Sequence, residues 1–440
     1  MRSAFRPLPA LIVVAALTSA PPLTAQQAQT TAFVGASVIP MDRERVLENH
    51  TVVVRGDRIV EVGPVASVQI PAGAQRVDAR GKFIIPGLAE MHGHVPPPNA
   101  PAQLIDNTLL LYVANGITTV RGMLGAPGQL DLRARANRGE VIAPTLYLAG
   151  PSFNGNSVNA PEQAAQMVRE QKAAGWDLLK VHPGLSREEF DAMARTAKEV
   201  GIDFAGHVPQ EVGLLHALEM GQRTFDHLDG YMEHLNGSAG PIPEDRLRYA
   251  AHRTKAANAW VVPTMVLWET LMGVPELAEL TAFPELRYMP ENTVTQWTNA
   301  HRSRLANPQV NREAGRIMAE NRKRLLDVMQ EEGVGILMGT DAPQQFSVPG
   351  FSLHREMALM VDAGMTPYEV LTSGTLNVGR YFADKDRFGT IAAGQRADLI
   401  VLDANPLTDI GNVARSAGVM VRGRWIPKAE IDRRLGEIAR

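Results

Sequence analysis

The stretch FIIPGLAEMHGH, residues 83–94, joins a run of apolar residues to two histidines that are separated by one glycine. Side chains alternate along a strand, so His92 and His94 point to the same side and can reach one metal ion if the strand ends at an open cavity. A lone pair of this kind is more often two surface or hydrogen-bonded histidines than a ligand pair. The residues downstream therefore decide its meaning.

The bulk composition is that of an ordinary globular protein. The chain has 440 residues, of which 45% are hydrophobic and 21% charged, and its net charge is -3. This length suits one large barrel with an appendage or two to three small domains, and nothing in the charge balance indicates nucleic acid. The chain has no cysteine, so any metal site must use nitrogen and oxygen ligands.

The N-terminal residues 1–25 are typical of a secretory signal peptide. Two arginines precede an apolar stretch at residues 8–17, and small residues lead to a cleavage point that we place near Ala25. A retained membrane anchor is the alternative, although the apolar run is short for a bilayer. We therefore expect a periplasmic or secreted protein with no membrane attachment after cleavage.

Short apolar runs alternate with turn signals at both ends of the chain, as in strands that form hairpins. We expect residues 26–82 and 384–440 to form one composite β-sandwich domain.

The middle of the chain, residues 83–383, alternates strand candidates with amphipathic helical stretches, which is typical of repeated βα units. The eight strand candidates are residues 83–85, 117–120, 145–148, 178–181, 204–208, 224–227, 260–264 and 335–340. The leading fold is an α/β, (β/α)8 TIM-type barrel, with an open doubly wound sheet as the alternative. The longest gap, at about residues 268–333, predicts a helical insertion, which we expect to act as a lid.

Six polar residues follow apolar strand candidates of this predicted barrel, whose active site is expected at the carboxyl ends of the strands. They are His92, His94, Lys180, His207, His227 and Asp341. Each has an ordinary explanation when taken singly: a hydrogen-bonded histidine, an ion-paired lysine or a helix-capping aspartate. Their joint occurrence at strand ends instead indicates a metal site.

Four segments make the chain resemble the amidohydrolase superfamily over nearly its whole length after the signal segment. They are PGLAEMHGH at 86–94, GITTVR at 116–121, GTD at 339–341 and GTIAAGQRADL at 389–399. The pattern is most similar to the imidazolonepropionase and prolidase-like branch, which includes secreted carboxypeptidases and ochratoxin-hydrolysing enzymes. The resemblance implies a metal-dependent enzyme acting on C–N bonds.

The resemblance also implies two divalent metal ions, with zinc as the expected metal. The implied ligands are His92, His94 and Asp341 for one ion, His207 and His227 for the other, and Lys180, carboxylated by carbon dioxide, for both. Mononuclear members of the superfamily lack this lysine. Two ions about 3.5–4 Å apart can share a hydroxide and polarise a scissile carbonyl.

Asp341 has a second expected role as the catalytic residue. A carboxylate beside the bridging hydroxide can accept its proton during attack and return it to the departing amine.

Five further residues are weaker candidates for substrate contact: Tyr231, His182, His234, Arg121 and Gln344. Tyr231 lies four residues after His227, where the chain resembles the prolidase-like branch in having a tyrosine, and a packed loop tyrosine is the alternative. His182 follows Lys180 by two residues and so shares its strand face.

We therefore expect an exported hydrolase that releases a C-terminal amino acid from a dipeptide or an N-acyl amino acid, a class that includes ochratoxin-type amides. The enzymatic alternative is opening of a cyclic amide, as in imidazolonepropionase. The alternative of a different class is a non-catalytic periplasmic binding protein. The expected partners are a small molecule or dipeptide and, by resemblance, further copies of the chain in a homo-oligomer.

Overall fold

A computed structural model of the protein describes residues 29–440. The predicted signal peptide lies outside the described residues. Within residues 29–440, no helix has the length and apolar character needed to cross a membrane.

Sixteen strands and fifteen α-helices are present in the described residues. The strands are β1 (Thr30–Val38), β2 (Leu47–Arg55), β3 (Arg58–Pro64), β4 (Gln75–Asp78), β5 (Phe83–Pro86), β6 (Leu88–Gly93), β7 (Ile117–Gly122), β8 (Thr145–Leu148), β9 (Leu178–Val181), β10 (Asp203–Gly206), β11 (Thr224–Asp226), β12 (Trp260–Val262), β13 (Gly335–Ile336), β14 (Leu399–Leu402), β15 (Ser416–Val421) and β16 (Arg424–Pro427). The helices are α1 (Ala102–Ala114), α2 (Gln129–Asn137), α3 (Pro161–Ala174), α4 (Arg187–Val200), α5 (Leu214–Glu219), α6 (Tyr231–Leu235), α7 (Glu244–Ala256), α8 (Met265–Leu271), α9 (Leu277–Thr281), α10 (Glu291–Ala306), α11 (Arg312–Glu331), α12 (Phe351–Asp362), α13 (Pro367–Gly374), α14 (Leu376–Tyr381) and α15 (Lys428–Ile438). Short 3-10 helices occur at Pro284–Tyr288 and Ile410–Ala414.

Strands from both ends of the chain share one sheet, in the order β16-β15-β14-β5-β1-β2-β3, with β4 paired to β1. The side chains of Phe33, Val52, Ile84 and Leu399 form part of its buried core. A β-sandwich would require two stacked sheets, whereas the described terminal strands form a single sheet. The edge strand β3 lies beside the segment that leads into β14: the Ile59 N–H of β3 donates to the Gln395 carbonyl at 2.9 Å.

The first predicted strand of the middle segment is two strands in the structure. Residues Phe83–Pro86 pair antiparallel with β14 in the terminal sheet, and the parallel strands begin only at β6. Gly87 separates the two strands, and a Cβ atom there would lie 2.1 Å from Thr118 Oγ1. The continuous apolar run therefore serves two sheets, a division that apolar patterning alone does not show.

The eight strands β6–β13 are parallel to their neighbours, in one sheet of order β6-β7-β8 and another of order β13-β12-β11-β10-β9. Backbone hydrogen bonds connect the sheets on both sides. The Gly150 N–H donates to Leu178 O at 3.1 Å, and the Met91 N–H donates to Met338 O at 2.8 Å. The predicted α/β class with parallel strands is confirmed.

Helix boundaries in this region follow sequence signals. Helix α4 begins at a capping box in which the Ser186 hydroxyl accepts the Glu189 N–H, and it ends at Gly201 with φ of 66°. Helix α3 begins with Pro161 and ends at Gly175, which also has a left-handed backbone.

The long gap between β12 and β13 is helical, as predicted, and contains α8 to α11. Helix α11 buries Ala319, Arg322, Leu325 and Met329 at helical spacing. It contacts both α7 and α8. The segment is thereby packed against the parallel-strand region through its last and longest helix.

Candidate metal centre

The six predicted ligands converge at the carboxyl ends of the parallel strands. His92 lies in β6 and Lys180 in β9, while His207 and His227 directly follow β10 and β11. Asp341 lies five residues beyond β13, where its backbone N–H donates to the His92 carbonyl at 2.7 Å. A cavity of about 420 Å³ opens here, and its lining includes four of the candidate histidines and Asp341.

His92, His94 and Asp341 form a first cluster. The Nε2 atom of His94 lies 2.5 Å from Asp341 Oδ1, and the Nε2 atom of His92 lies 3.6 Å from the same oxygen. The candidate ligand atoms of the three residues all lie within 4.8 Å of one another. This nitrogen and oxygen set suits zinc or a similar divalent ion.

The other predicted ligands adjoin this cluster. Lys180 Nζ lies 3.3 Å from His92 Nε2, and His227 Nε2 lies 3.6 Å from Asp341 Oδ2. The imidazole centroids of His207 and His227 are 4.6 Å apart. The tertiary structure thus brings all six residues around one point.

Unpartnered buried atoms show that the cluster fits a metal. His227 Nε2 is buried and has no hydrogen-bond partner, although buried polar atoms are normally satisfied. Burial, reinforced by neighbouring His92, His207 and Lys180, holds the pKa of His227 well below its usual value, so its ring is neutral. A neutral imidazole nitrogen with a free lone pair is the form that binds a metal.

Lys180 is fully buried and forms no ion pair with a described residue. Burial lowers the pKa of its amine, while the more distant carboxylates of Asp226 and Asp341 oppose that shift. The lowered pKa favours the neutral amine, which is the form that can react with carbon dioxide.

Three histidines are oriented from behind by residues that sequence reasoning missed. His92 Nδ1 lies 2.8 Å from Asp226 Oδ2, and His207 Nδ1 lies 2.5 Å from Asp229 Oδ2. His227 Nδ1 lies 2.8 Å from the Thr264 hydroxyl. Hydrogen bonds fix the rings and tautomers of His207 and His227, leaving Nε2 for the metal. The Asp226 carboxylate orients His92 by a close charge contact that lacks hydrogen-bond geometry. The run Asp226-His227-Leu228-Asp229 was the available signal, since acidic residues flank a candidate ligand.

The backbone around the site is strained and closely held. His227, Thr264 and Asp341 have φ angles of 66°, 46° and 66°, in the left-handed region that non-glycine residues seldom occupy. The buried Glu90 carboxyl accepts the His92 N–H at 3.1 Å and the Thr340 N–H at 2.7 Å. Burial raises the pKa of Glu90 to about 8. These contacts join β6 to the segment that carries Asp341.

Two of the predicted substrate contacts, His182 and Gln344, line the cavity. The His182 ring stacks on His207 with centroids 4.9 Å apart. Burial and the neighbouring Lys180 lower the pKa of His182 to about 2, so its ring is neutral.

The other three predicted contacts lie elsewhere, contrary to expectation. Tyr231 is buried in the hydrophobic core, where its hydroxyl lies 2.6 Å from the Thr254 hydroxyl. The buried Arg121 guanidinium bonds Asp226 at 3.1 Å, behind the metal cluster. His234 is exposed on α6. For Tyr231 and His234, sequence spacing gave the distance along the chain from His227 but not the direction in which α6 turns.

The cavity also has apolar lining that sequence reasoning did not identify. It consists of Leu124, Leu267, Trp268 and Leu271.

Two curated enzymes are each similar to 86% of this chain. Imidazolonepropionase of Klebsiella pneumoniae (strain 342) is 25% identical over 407 residues, covering 86% of this chain and 92% of that protein. Adenine deaminase 3 of Rhizobium meliloti (strain 1021) is 21% identical over 401 residues, and the match spans only 56% of its length.

Solved structures show the same fold. A Xaa-Pro dipeptidase with bound methionine in the active site has a TM-score of 0.69 at 20% identity, covering 91% of this chain and 100% of that one. A. niger ochratoxinase has a TM-score of 0.67 at 18% identity, covering 91% and 96%.

The sequence profile described as "Amidohydrolase family" matches residues 83–426, which include all six clustered residues. The resemblance and the enzyme class predicted from the motifs are thereby confirmed: the chain belongs to the amidohydrolase family.

Proposed function

We propose that the protein is a binuclear-metal hydrolase that cleaves an amide bond. The observation that carries the proposal is the convergence of His92, His94, His207, His227 and Asp341 on one cavity, with Lys180 Nζ 3.3 Å from His92 Nε2 and with His227 Nε2 left without a partner.

A (β/α)8 barrel is the fold that supports this site best. Strands β6–β13 supply eight parallel strands, and hydrogen bonds connect their two sheets on both sides. An open doubly wound sheet would lack one of these connections. The terminal sheet would then be the appended β domain.

Two divalent ions, with zinc preferred, would be held by His92, His94 and Asp341 on one side and by His207 and His227 on the other. Lys180 would contact both after its amine adds to carbon dioxide and loses a proton. When bound, the ions supply a water of lowered pKa and polarise the scissile carbonyl.

Asp341 is placed to move the proton that amide hydrolysis requires. Its carboxylate is near His94 and His227 and faces the cavity. It accepts a proton from the attacking water and returns it to the departing nitrogen, which is a poor leaving group without protonation. His182 and Gln344 are the other polar side chains of the lining, and they bind the substrate's carbonyl or carboxylate oxygens.

The proposed reaction is release of a C-terminal amino acid from a dipeptide or N-acyl amino acid, with ochratoxin-type amides in the same class. The fold shared with a dipeptidase and an ochratoxinase supports this choice. Opening of a cyclic amide is the second candidate, favoured by the match to 92% of an imidazolonepropionase. We further propose that the enzyme is exported and homo-oligomeric.

A hydrolysis screen with the metal-loaded protein tests the reaction class. The substrates are N-acyl amino acids with free and with amidated carboxyl groups, together with cyclic ureides, and Asp341→Asn serves as the inactive control. Release of the C-terminal amino acid would support the proposal. Activity on the ring compounds alone would overturn it in favour of the cyclic amide, and absence of both bound metal and hydrolysis would favour a binding protein.

A further inference from the structure

One side of the metal cavity is an apolar wall, formed by Leu267, Trp268 and Leu271 of α8 and by Leu124 after β7. Leu271 follows Leu267 by four residues and Trp268 by three, so it neighbours both side chains on the helix surface and the three form one broad apolar stripe. Val266 lies on another face of α8 and lines a separate cavity. Leu124 is 45% exposed, an unusual value for a leucine, so apolar surface is open at this cavity.

Trp268 is held in place by Arg322 of α11. The guanidinium carbon lies 4.4 Å from the centre of the Trp268 ring, and Nη1 donates to the His227 carbonyl. Arg322 is 2% exposed and forms no ion pair within the described part of the chain, and burial lowers its pKa to about 10. Burying such a cation is unfavourable unless it is compensated, and here the indole face, the carbonyl and the nearby carboxyl groups of Asp229 and Glu233 contribute to the compensation.

The same arginine therefore connects the wall to the metal cluster. The Trp268 and His227 ring centroids are 6.3 Å apart. A substrate group that contacts the indole thus lies within about one side-chain length of the reacting bond.

The wall is also anchored at the start of α8. The buried Glu356 carboxyl accepts the N–H groups of Met265 and Val266 at 2.8 and 2.9 Å. A helix fixed in this way presents a preformed surface, which reduces the entropy lost when a ligand binds.

Charged groups are scarce around the wall. Five of the six clustered residues line the cavity, all but Lys180. The other lining side chains that are polar or titratable are His182 and Gln344, and no described Arg or Lys lines it. An acidic substrate side chain would find no cationic partner here, whereas an apolar one would be removed from water.

We propose that the wall binds a large apolar group that flanks the scissile amide, so that the enzyme selects substrates with an aromatic or branched aliphatic side chain. Arg322 acts as a positioning residue through Trp268. This inference rests on the proposed amide hydrolysis and narrows its substrate class.

Two substrate series test the wall. N-acetyl amino acids vary the released residue and X-Ala dipeptides vary the acyl residue, with Phe, Leu, Ala, Asp and Lys at the varied position. In at least one series, kcat/KM for Phe and Leu should exceed that for Ala by roughly ten- to a hundredfold. The values for Asp and Lys should lie below that for Ala.

Variants distinguish a specific loss of apolar selectivity from a general loss of stability. Trp268→Ala should bring the Phe/Ala ratio of kcat/KM close to one, and Leu271→Ala should lower it if Trp268→Ala does not fold. Val266→Ala, an apolar truncation on another face of the same helix, should keep the wild-type ratio. Arg322→Lys keeps the charge but loses the planar stacking, so the Phe/Ala ratio should fall while Arg322→Met lowers it further.

Calorimetric titration with L-phenylalanine and L-alanine provides a readout independent of turnover. The metal-loaded protein should bind phenylalanine more tightly, and Trp268→Ala should remove the difference. Equal kcat/KM for Phe, Ala and Asp in both series would overturn the proposed role of the wall in substrate selection. An unchanged Phe/Ala ratio of kcat/KM in folded Trp268→Ala would do the same. Neither result would contradict amide hydrolysis itself. Absence of hydrolysis on every substrate would overturn the proposed function. The titration alone would then test whether the wall binds apolar groups, and equal affinities for phenylalanine and alanine would overturn that role.

Discussion

His92 Nδ1 lies 2.8 Å from the carboxylate of Asp226, and His92 Nε2 in turn lies 3.6 Å from Asp341. Asp226 is held from behind by two contacts of 3.1 Å from the Arg121 guanidinium. Two successive buried contacts, Arg121 to Asp226 and Asp226 to His92, thus connect Arg121 to the first candidate ligand. Arg121 contacts the carboxylate behind that ligand and does not line the cavity.

Replacing Asp226 with Asn should weaken metal binding by about ten- to a hundredfold, because the carboxylate that orients His92 is lost. Competition with a chelator measures the affinity. Asp177→Asn is the control, since Asp177 is likewise a carboxylate paired with an arginine, Arg133, but is only partly buried and lies away from the metal cavity. Unchanged metal affinity in Asp226→Asn would contradict the orienting role.

Lys180→Met should lower the metal content from about two equivalents per chain to one or none, because methionine fills the space but cannot carry a carboxylate. Elemental analysis of the purified protein gives the stoichiometry. A short carboxylate such as acetate, added with metal, should restore part of the activity. Retention of two equivalents by Lys180→Met would show that the lysine is not a ligand.

Asp341→Asn should abolish turnover, a loss of at least roughly 10²–10⁴-fold, because the amide cannot accept and return a proton. Single-turnover kinetics on a substrate found in the screen, with metal content measured in parallel, checks this. Near wild-type activity at correct metal content would remove Asp341 as the catalytic residue.

Tyr231→Phe should leave kcat/KM unchanged and lower the free energy of unfolding by about 1 kcal/mol, since only the hydrogen bond to Thr254 is lost. Urea unfolding and steady-state kinetics on the same preparation measure both quantities. A large fall in kcat/KM at unchanged stability would instead support the substrate role expected from sequence.

The pH dependence of stability should reflect two buried carboxyl groups. Burial raises the pKa of Glu356, and likewise that of Glu90, from the usual 4.5 to about 8. The folded protein therefore keeps protons that the unfolded chain has released, so the free energy of unfolding should fall as pH rises from about 4.5 to about 8. Above about pH 8, these two groups cause no further change in the free energy of unfolding.

Glu356→Gln should remove about half of that slope, because glutamine does not titrate while Glu90 still does. Urea unfolding at a series of pH values measures the slope, and exposed Glu162→Gln should keep it. An unchanged slope in Glu356→Gln would mean that the carboxyl is already ionised in the folded protein.

Local patterns predicted much of the fold but not every boundary. Alternating apolar strands and amphipathic helices identified the α/β class. Residues 83–85 were predicted to be the first strand of the middle segment, whereas they pair with β14 in the terminal sheet and the parallel strands begin at β6. Apolar residues suit a strand in either sheet, so their pattern did not show the division at Gly87, which packs closely against Thr118.

The sequence alone identified the residues of the candidate site: a His-x-His pair, a lysine, two further histidines and an aspartate, each at or beyond the end of a strand. Strand ends are local features, and parallel strands bring their carboxyl ends to one edge whatever the loops do. Only the tertiary structure decided that Asp226 orients His92, that Tyr231 turns into the core, and that α8 and Arg322 give the cavity an apolar wall. Those relationships join residues from elements far apart in the chain, and their directions depend on how helices pack rather than on residue spacing.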